Sequence, residues 1–235
     1  MKILVIIPAY NESAIIAKTI REVREKAPMA DILAVNDGSS DNTLEILRRE
    51  GVDHLNLRCN LGIGGAVQSG YVYALENGYD YAVQIDGDGQ HDPAYIMPII
   101  EQMQKDGANV GIGSRFIDGK GFQSSGLRRF GIRFLSALIR LTCGVRVLDV
   151  TSGLRVADRS CIELYARDYS DDYPEPEAIV AATAHGAKIV EYPVMMRSRS
   201  TGTSSISAVK SVYYMIKVSL AIIMYKTIMR KRFGK

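Results

Sequence analysis

Apolar residues in the first half of the chain fall into two alternating rhythms. Short unbroken runs at Lys2–Pro8, Asp31–Asn36, Val52–Leu57, Tyr81–Asp86 and Asn109–Gly113 have the length and continuity of buried strands. Between them the period lengthens to that of a helix. Asn11–Lys26 sets Ile15, Ile16, Ile20 and Val23 on one face. Asn42–Glu50 turns Leu44 and Leu47 inward behind Asp41, which can cap it. Gly65–Asn77 stops at Gly78, and Ala94–Asp106 follows. Strand and helix alternating at this spacing predict a three-layer, Rossmann-like α/β/α fold around a mostly parallel sheet.

The second half is less regular. Gly126–Thr142 reads as a basic, apolar helix, Val150–Val156 as a short extended piece and Ser160–Tyr165 as a short helix. Glu177–His185 is a helix leading into a strand at Lys188–Val194, and Arg197–Ser205 is a serine-rich loop. Ile206–Arg232 reads as one long apolar helix. The chain divides near Ser205, into a domain over residues 1–205 and a helix over 206–235 for membrane or partner association. There is no internal repeat.

Composition narrows the picture only locally. A hydrophobic share of 47% in 235 residues supplies a core. Three cysteines without a C-x-x-C spacing argue for reduced thiols in a cytoplasmic protein and against a zinc site. The formal charge of +3 is concentrated at Arg128, Arg129, Arg133 and Arg140 and at Lys226, Arg230, Lys231, Arg232 and Lys235. Two such regions fit anionic lipid or phosphate better than nucleic acid. No apolar run approaches the roughly 20 residues of a membrane span, and the opening run is too short for a signal peptide.

Candidate chemistry gathers where the strands end, the edge at which open α/β sheets bind ligands. Pro8-Ala9-Tyr10-Asn11-Glu12 follows the first strand, Asn36-Asp37-Gly38-Ser39-Ser40-Asp41 the second and Asp86-Gly87-Asp88-Gly89-Gln90-His91 the fourth. Two carboxylates two residues apart, at Asp86 and Asp88, suit Mg²⁺ or Mn²⁺ bridging to a diphosphate, with Gln90 and His91 as added ligands or donors. The competing reading is an Asp-Gly turn. Asp37 could accept from a base or ribose, or close an Asx-turn on Gly38 or Ser39. Asn60-Leu61-Gly62-Ile63-Gly64-Gly65 lacks the Lys-Ser/Thr ending of a Walker A loop. Its glycines suit either a close nucleotide or helix–sheet packing.

Taken in order, Ile7-Pro8-Ala9-Tyr10-Asn11-Glu12, Asn36-Asp37-Gly38-Ser39-Ser40-Asp41, Asn60-Leu61-Gly62 and Asp86-Gly87-Asp88-Gly89-Gln90-His91 resemble glycosyltransferase family 2. Within it the chain resembles the dolichyl-phosphate-mannose-synthase-like branch, whose bacterial members glycosylate polyprenyl phosphates. The resemblance covers about residues 2–205. It implies a GT-A fold and an inverting transfer from a nucleotide-diphosphate sugar. It assigns Pro8, Tyr10, Glu12, Asp37 and Asp86 to the nucleotide, and Asp86, Asp88 and Gln90 to the metal and diphosphate. Arg115 after the fifth strand, with Arg128 or Arg129, would face the acceptor phosphate, so that Asp88, Arg115 and Arg128 carry the catalytic step. Thr151-Ser152-Gly153-Leu154-Arg155 resembles the acceptor-side turn, and Arg197 or Arg199 the diphosphate loop. Ser205 and Ile206 stand where relatives usually carry a lysine.

Three functions compete. A lipid monophosphate acceptor is already an anion and needs no general base, only neutralisation and alignment. A sugar hydroxyl needs a base, for which Asp171, Asp172, Glu175 and Glu177 are candidates, although acids there also offset a helix dipole. The third reading is a catalytically silent nucleotide-sugar-binding scaffold. Leu127–Leu141 suits a helix in the headgroup region or a core helix with snorkelling arginines. The final helix, apolar on several faces, requires cover from membrane, a small membrane protein or a second copy. The first choice is synthesis of a polyprenyl-phosphate sugar, from UDP-glucose or UDP-N-acetylglucosamine, at the cytoplasmic face of the membrane.

Overall fold

The computed structural model describes residues 1–119, 121, 126–171, 174–197 and 215–225, with the backbone alone at residues 127 and 128. Among the described residues the sheet has seven strands: β1 (Ile3–Ala9), β2 (Ala30–Asn36), β3 (Asp53–Asn56), β4 (Tyr81–Gln84), β5 (Val110–Ser114), β6 (Arg155–Asp158) and β7 (Ile189–Pro193). Their spatial order is β3-β2-β1-β4-β6-β5-β7, and only β6 runs antiparallel to its neighbours. The predicted α/β/α architecture holds.

β1 shows why its run is continuous. Leu4 and Ile6 enter one apolar cluster, while Ile3, Val5 and Ile7 enter the other. Successive side chains of a strand point to opposite faces, so a strand covered on both sides must be apolar at every position. Helices α1 (Ile16–Lys26), α2 (Thr43–Arg49) and α4 (Ile96–Asp106) cover one face. Helices α3 (Gly62–Glu76), α5 (Gly126–Cys143), α6 (Arg159–Arg167) and α7 (Pro174–Ala184) cover the other.

Several expected boundaries move, each for a local reason. The first helix begins at Ile16, not Asn11, because Asn11 adopts φ 56° and Glu12 O takes the amides of Ile15 and Ile16. The third begins at Gly62 and absorbs the glycine-rich stretch. There a Cβ on Gly64 would stand 1.9 Å from Ser170 O, so close helix packing accounts for that glycine. The extended piece expected over Val150–Val156 is mostly a turn, with strand geometry only from Arg155. α7 starts at Pro174 rather than Glu177, and Pro174 and Pro176 are tolerated in a first turn whose amides have no helical acceptor. Leu44 is only half-buried; Thr43 and Leu47 form the inner face of α2. The boundary expected near Ser205 lies outside the described residues. Residues 215–225 form a helix, α8, whose Val218 and Ile222 are buried in the same cluster as Ile132, Leu135 and Ile139 of α5.

Candidate functional site

The loops after β1, β2 and β3 are knitted into one rim by side chains that satisfy each other's amides. Asn11 Oδ1 accepts from the amides of Ser40 (2.9 Å) and Asp41 (3.3 Å), and Ser39 Oγ accepts from Asn11 N. Asp41 spans both loops, accepting from Ser13 N (3.1 Å) and Thr43 N (3.0 Å). Burial alone would raise its pKa, but the bonds from Thr43 and Ser13 outweigh this and hold the carboxyl down to about 2. Asp37 is buried. Its amide donates to Ala9 O and its Oδ1 accepts from Leu61 N at 2.7 Å. The carboxylate therefore reaches the third loop rather than closing a local Asx-turn. Tyr10 projects into solvent with 52% exposure, beside the half-buried Glu12.

The loop after β4 packs directly on this rim. Gly87 O accepts from Thr19 Oγ1 (3.1 Å), and a Cβ on Gly87 would lie 2.9 Å from Pro8 O. Asp88 Oδ1 accepts from the amide of Gln90 (3.0 Å), an Asx-turn that also fixes the carboxylate. The Gln90 amide group donates to Arg197 O, and Arg197 N returns a bond to Gln90 O. His91 is 3% exposed, and among the described residues neither ring nitrogen has a hydrogen-bond partner. Its Nε2 stands 3.5 Å from Asp86 Oδ2.

These donors fit a hard divalent cation. Asp86 is one-third exposed, and its carboxyl group lies against Gly153 in a cradle that a Cβ would fill. Among the described residues no group of three or more His, Cys, Asp and Glu side chains forms a cage. One or two carboxylates completed by substrate phosphates and water is the usual arrangement for Mg²⁺ at nucleotides.

Arg115, at the end of β5, is buried. Its Nε and Nη2 each lie 2.6 Å from a different oxygen of Asp149, and Nη2 also reaches Thr151 Oγ1 at 3.1 Å. The Asp149 side chain is fully buried, and its amide donates to Glu191. Sequence reasoning missed Asp149, Glu191 and the role of Gly153, because no local pattern marks residues whose partners lie on distant strands. Arg129 is exposed on α5; the side chain of Arg128, and all of Arg199, lie outside the described residues. The Arg197 guanidinium is engaged by Glu22 (2.6 Å) and Asp92 (2.9 Å). Those carboxylates raise its pKa, and Asp92, which also takes Lys26, is lowered despite partial burial.

Known proteins of the same design bear on this geometry. The chain is 30% identical over 88% of its length, and 88% of the relative's, to an undecaprenyl-phosphate mannosyltransferase of Micrococcus luteus. It is 29% identical over 93% of its length, and 96% of the relative's, to a UDP-N-acetylglucosamine–dolichyl-phosphate N-acetylglucosaminyltransferase of Methanococcus voltae. A crystal structure of glucosyl-3-phosphoglycerate synthase from Mycobacterium tuberculosis, in complex with Mn²⁺, UDP and phosphoglyceric acid, superposes with a TM-score of 0.72 at 19% identity. That match covers 96% of this chain and 78% of the other, and shows a shared GT-A fold. The family description "Glycosyl transferase family 2" matches residues 4–164, from β1 through most of α6, and the chain belongs to that family.

Proposed function

We propose that this glycosyltransferase moves a sugar from a nucleoside-diphosphate donor, UDP-N-acetylglucosamine or UDP-glucose, to a polyprenyl phosphate at the cytoplasmic membrane face. The observation that carries the reading is that Asp37, Asp86 and the Arg115-bearing strand end share one rim of the sheet. The names of the relatives, which act on undecaprenyl and dolichyl phosphates, support the acceptor class. Pro8, Tyr10, Glu12 and Asp37 bind the nucleoside. Asp86 and Asp88, aided by Gln90, hold Mg²⁺ or Mn²⁺, which when bound neutralises charge growing on the departing diphosphate.

The acceptor oxygen attacks the anomeric carbon as the bond to the diphosphate breaks, inverting the configuration. Arg115, Arg128 and Arg129 align the lipid phosphate, and arginine keeps its charge in doing so. Asp149 and Thr151 fix the guanidinium of Arg115 at the end of β5, and from there its charge serves the lipid phosphate. Arg197, held by Glu22 and Asp92 and bonded to Gln90, or Arg199 makes the diphosphate contact. The lipid approaches over α5 and α8, which pack together at Gly131 and Met215 and expose Phe130, Phe134, Leu220 and Ile223 beside Arg129 and Arg133. No described helix is long and apolar enough to cross a membrane; the exposed apolar and basic side chains of α5 and α8 are what support contact with a lipid surface.

The test is a panel of radiolabelled nucleotide sugars offered with short-chain polyprenyl phosphate, with and without Mn²⁺. An acid-labile lipid-linked product is expected from one UDP-sugar, and Asp86→Ala or Asp88→Ala lowers its rate by about two orders of magnitude or more. An acid-stable product, or full turnover in the double alanine variant, overturns the proposal.

A further inference from the structure

The turn joining α5 to β6 is pinned from several directions. The amides of Leu148 and Asp149 donate to the Glu191 carboxylate at 2.8 Å each. Asp149 grips Arg115. Arg155, buried on β6, donates to the carbonyls of Val150 and Ser152 and, through Nη1, to Glu175 O at the start of α7. A backbone tied at this many points to β5, β7 and α7 has little freedom to yield.

Gly153 lies within this turn, and its φ is outside the left-handed region. Backbone conformation therefore makes no demand for glycine there. Space does. A Cβ at Gly153 would stand 2.1 Å from Asp86 Oδ2, 2.5 Å from Cγ and 2.6 Å from Oδ1. These three nearest atoms all belong to one carboxyl group, and each distance is far inside the roughly 3.5 Å of a favourable non-bonded contact.

We propose that Gly153 is a positioning residue for the metal: by lacking a side chain it lets the Asp86 carboxylate keep its orientation, so the acceptor-side turn sets the geometry of the donor-side cation. The inference rests on the metal role of Asp86 proposed above. With the turn fixed, an added methyl group cannot retreat. Asp86 must rotate about its own side-chain bonds and carry its oxygens away from the cation. The turn that orders Arg115 through Asp149 and Thr151 thus also orders Asp86, and the two halves of the site are built on one support.

The test uses the full chain, Gly153→Ala, Asp86→Ala and their double variant. Mn²⁺ binding is followed by electron paramagnetic resonance in the presence of UDP, and melting is measured without metal. In Gly153→Ala, Mn²⁺ affinity is expected to fall roughly 10–100-fold, the range for substitutions that disturb a ligand's support. Its melting temperature should fall by about 5 °C, whereas adding Gly153→Ala to Asp86→Ala should cost almost nothing, the obstructing atoms being gone. Unchanged Mn²⁺ affinity in Gly153→Ala, or an equal melting penalty with Asp86 already truncated, overturns the proposal. If Gly153→Ala alone does not fold, recovery of folding in the double variant supports it and failure to recover refutes it. Failure of the unmodified chain to bind Mn²⁺ sinks the metal reading by itself, and the melting comparison still decides whether Gly153 serves Asp86.

Discussion

Arg115 joins two demands that pull against each other. A cation buried opposite Asp149 is stabilised only as a pair, and removing one partner strands a charge away from water. Arg115→Ala should therefore destabilise the fold by about 3–5 kcal/mol in urea unfolding, besides raising KM for the lipid phosphate more than for the nucleotide sugar. Arg115→Met combined with Asp149→Leu should recover most of the stability and none of the acceptor binding. Equal destabilisation in the single and double variants would locate the cost outside the ion pair. Unchanged acceptor KM in Arg115→Lys and Arg115→Ala alike would retire the acceptor role.

Among the elements, the rim of loops depends on Asp41 as much as on any ligand. Its folded-state pKa of about 2 lies below the ordinary 3.8, so its contribution is complete above about pH 4 and disappears as pH falls toward 2. The shift corresponds to at most about 2 kcal/mol. Asp41→Asn should lower stability at pH 7 by that order and weaken nucleotide binding through Tyr10 and Glu12. The gap from the unmodified chain should close on titration to pH 2; a gap independent of pH would show that charge is not its source. Asp41 was legible in the sequence as a polar anchor at the start of α2, because its bond from Thr43 N is local, although the cap position itself falls to Asn42. Its bond to Ser13 was not, because that partner becomes a neighbour only when β1 and β2 pair. The same limit explains the strands. β1 and β2 declared themselves by continuous apolar runs, whereas β6, four residues long and containing the buried Arg155, carries no such run and was misplaced into the turn before it. The Asp86-Gly87-Asp88 pair was visible as a motif, but the packing around it and its neighbouring turn, through Gly153 and Glu191, comes from contacts between residues many tens of positions apart.

At the scale of the whole molecule, α5 and α8 carry a concentration of exposed large apolar side chains among the described residues, with Leu141 82% and Met224 59% exposed. Phe134→Glu with Leu220→Glu should abolish flotation with vesicles of anionic phospholipid while leaving UDP binding intact. For the unmodified chain, raising salt should weaken flotation in part, since the arginines contribute alongside buried apolar area. Flotation that survives the double substitution would move the membrane contact elsewhere. The reversed course of β6 has a consequence for how such enzymes diversify. Because β6 runs against its neighbours, its entry, at Arg155 beside Gln84 and Ile112, opens onto the rim that carries Asp37, Asp86 and Arg115, while its exit, at Asp158 beside Tyr81, opens onto the opposite end of the sheet. Segments spliced in ahead of Asp149 would therefore be delivered to the mouth of the cleft and could retune which acceptor enters. At the far end Asp158 caps α6 directly through Cys161 N, leaving no loop there in which an inserted segment could lodge.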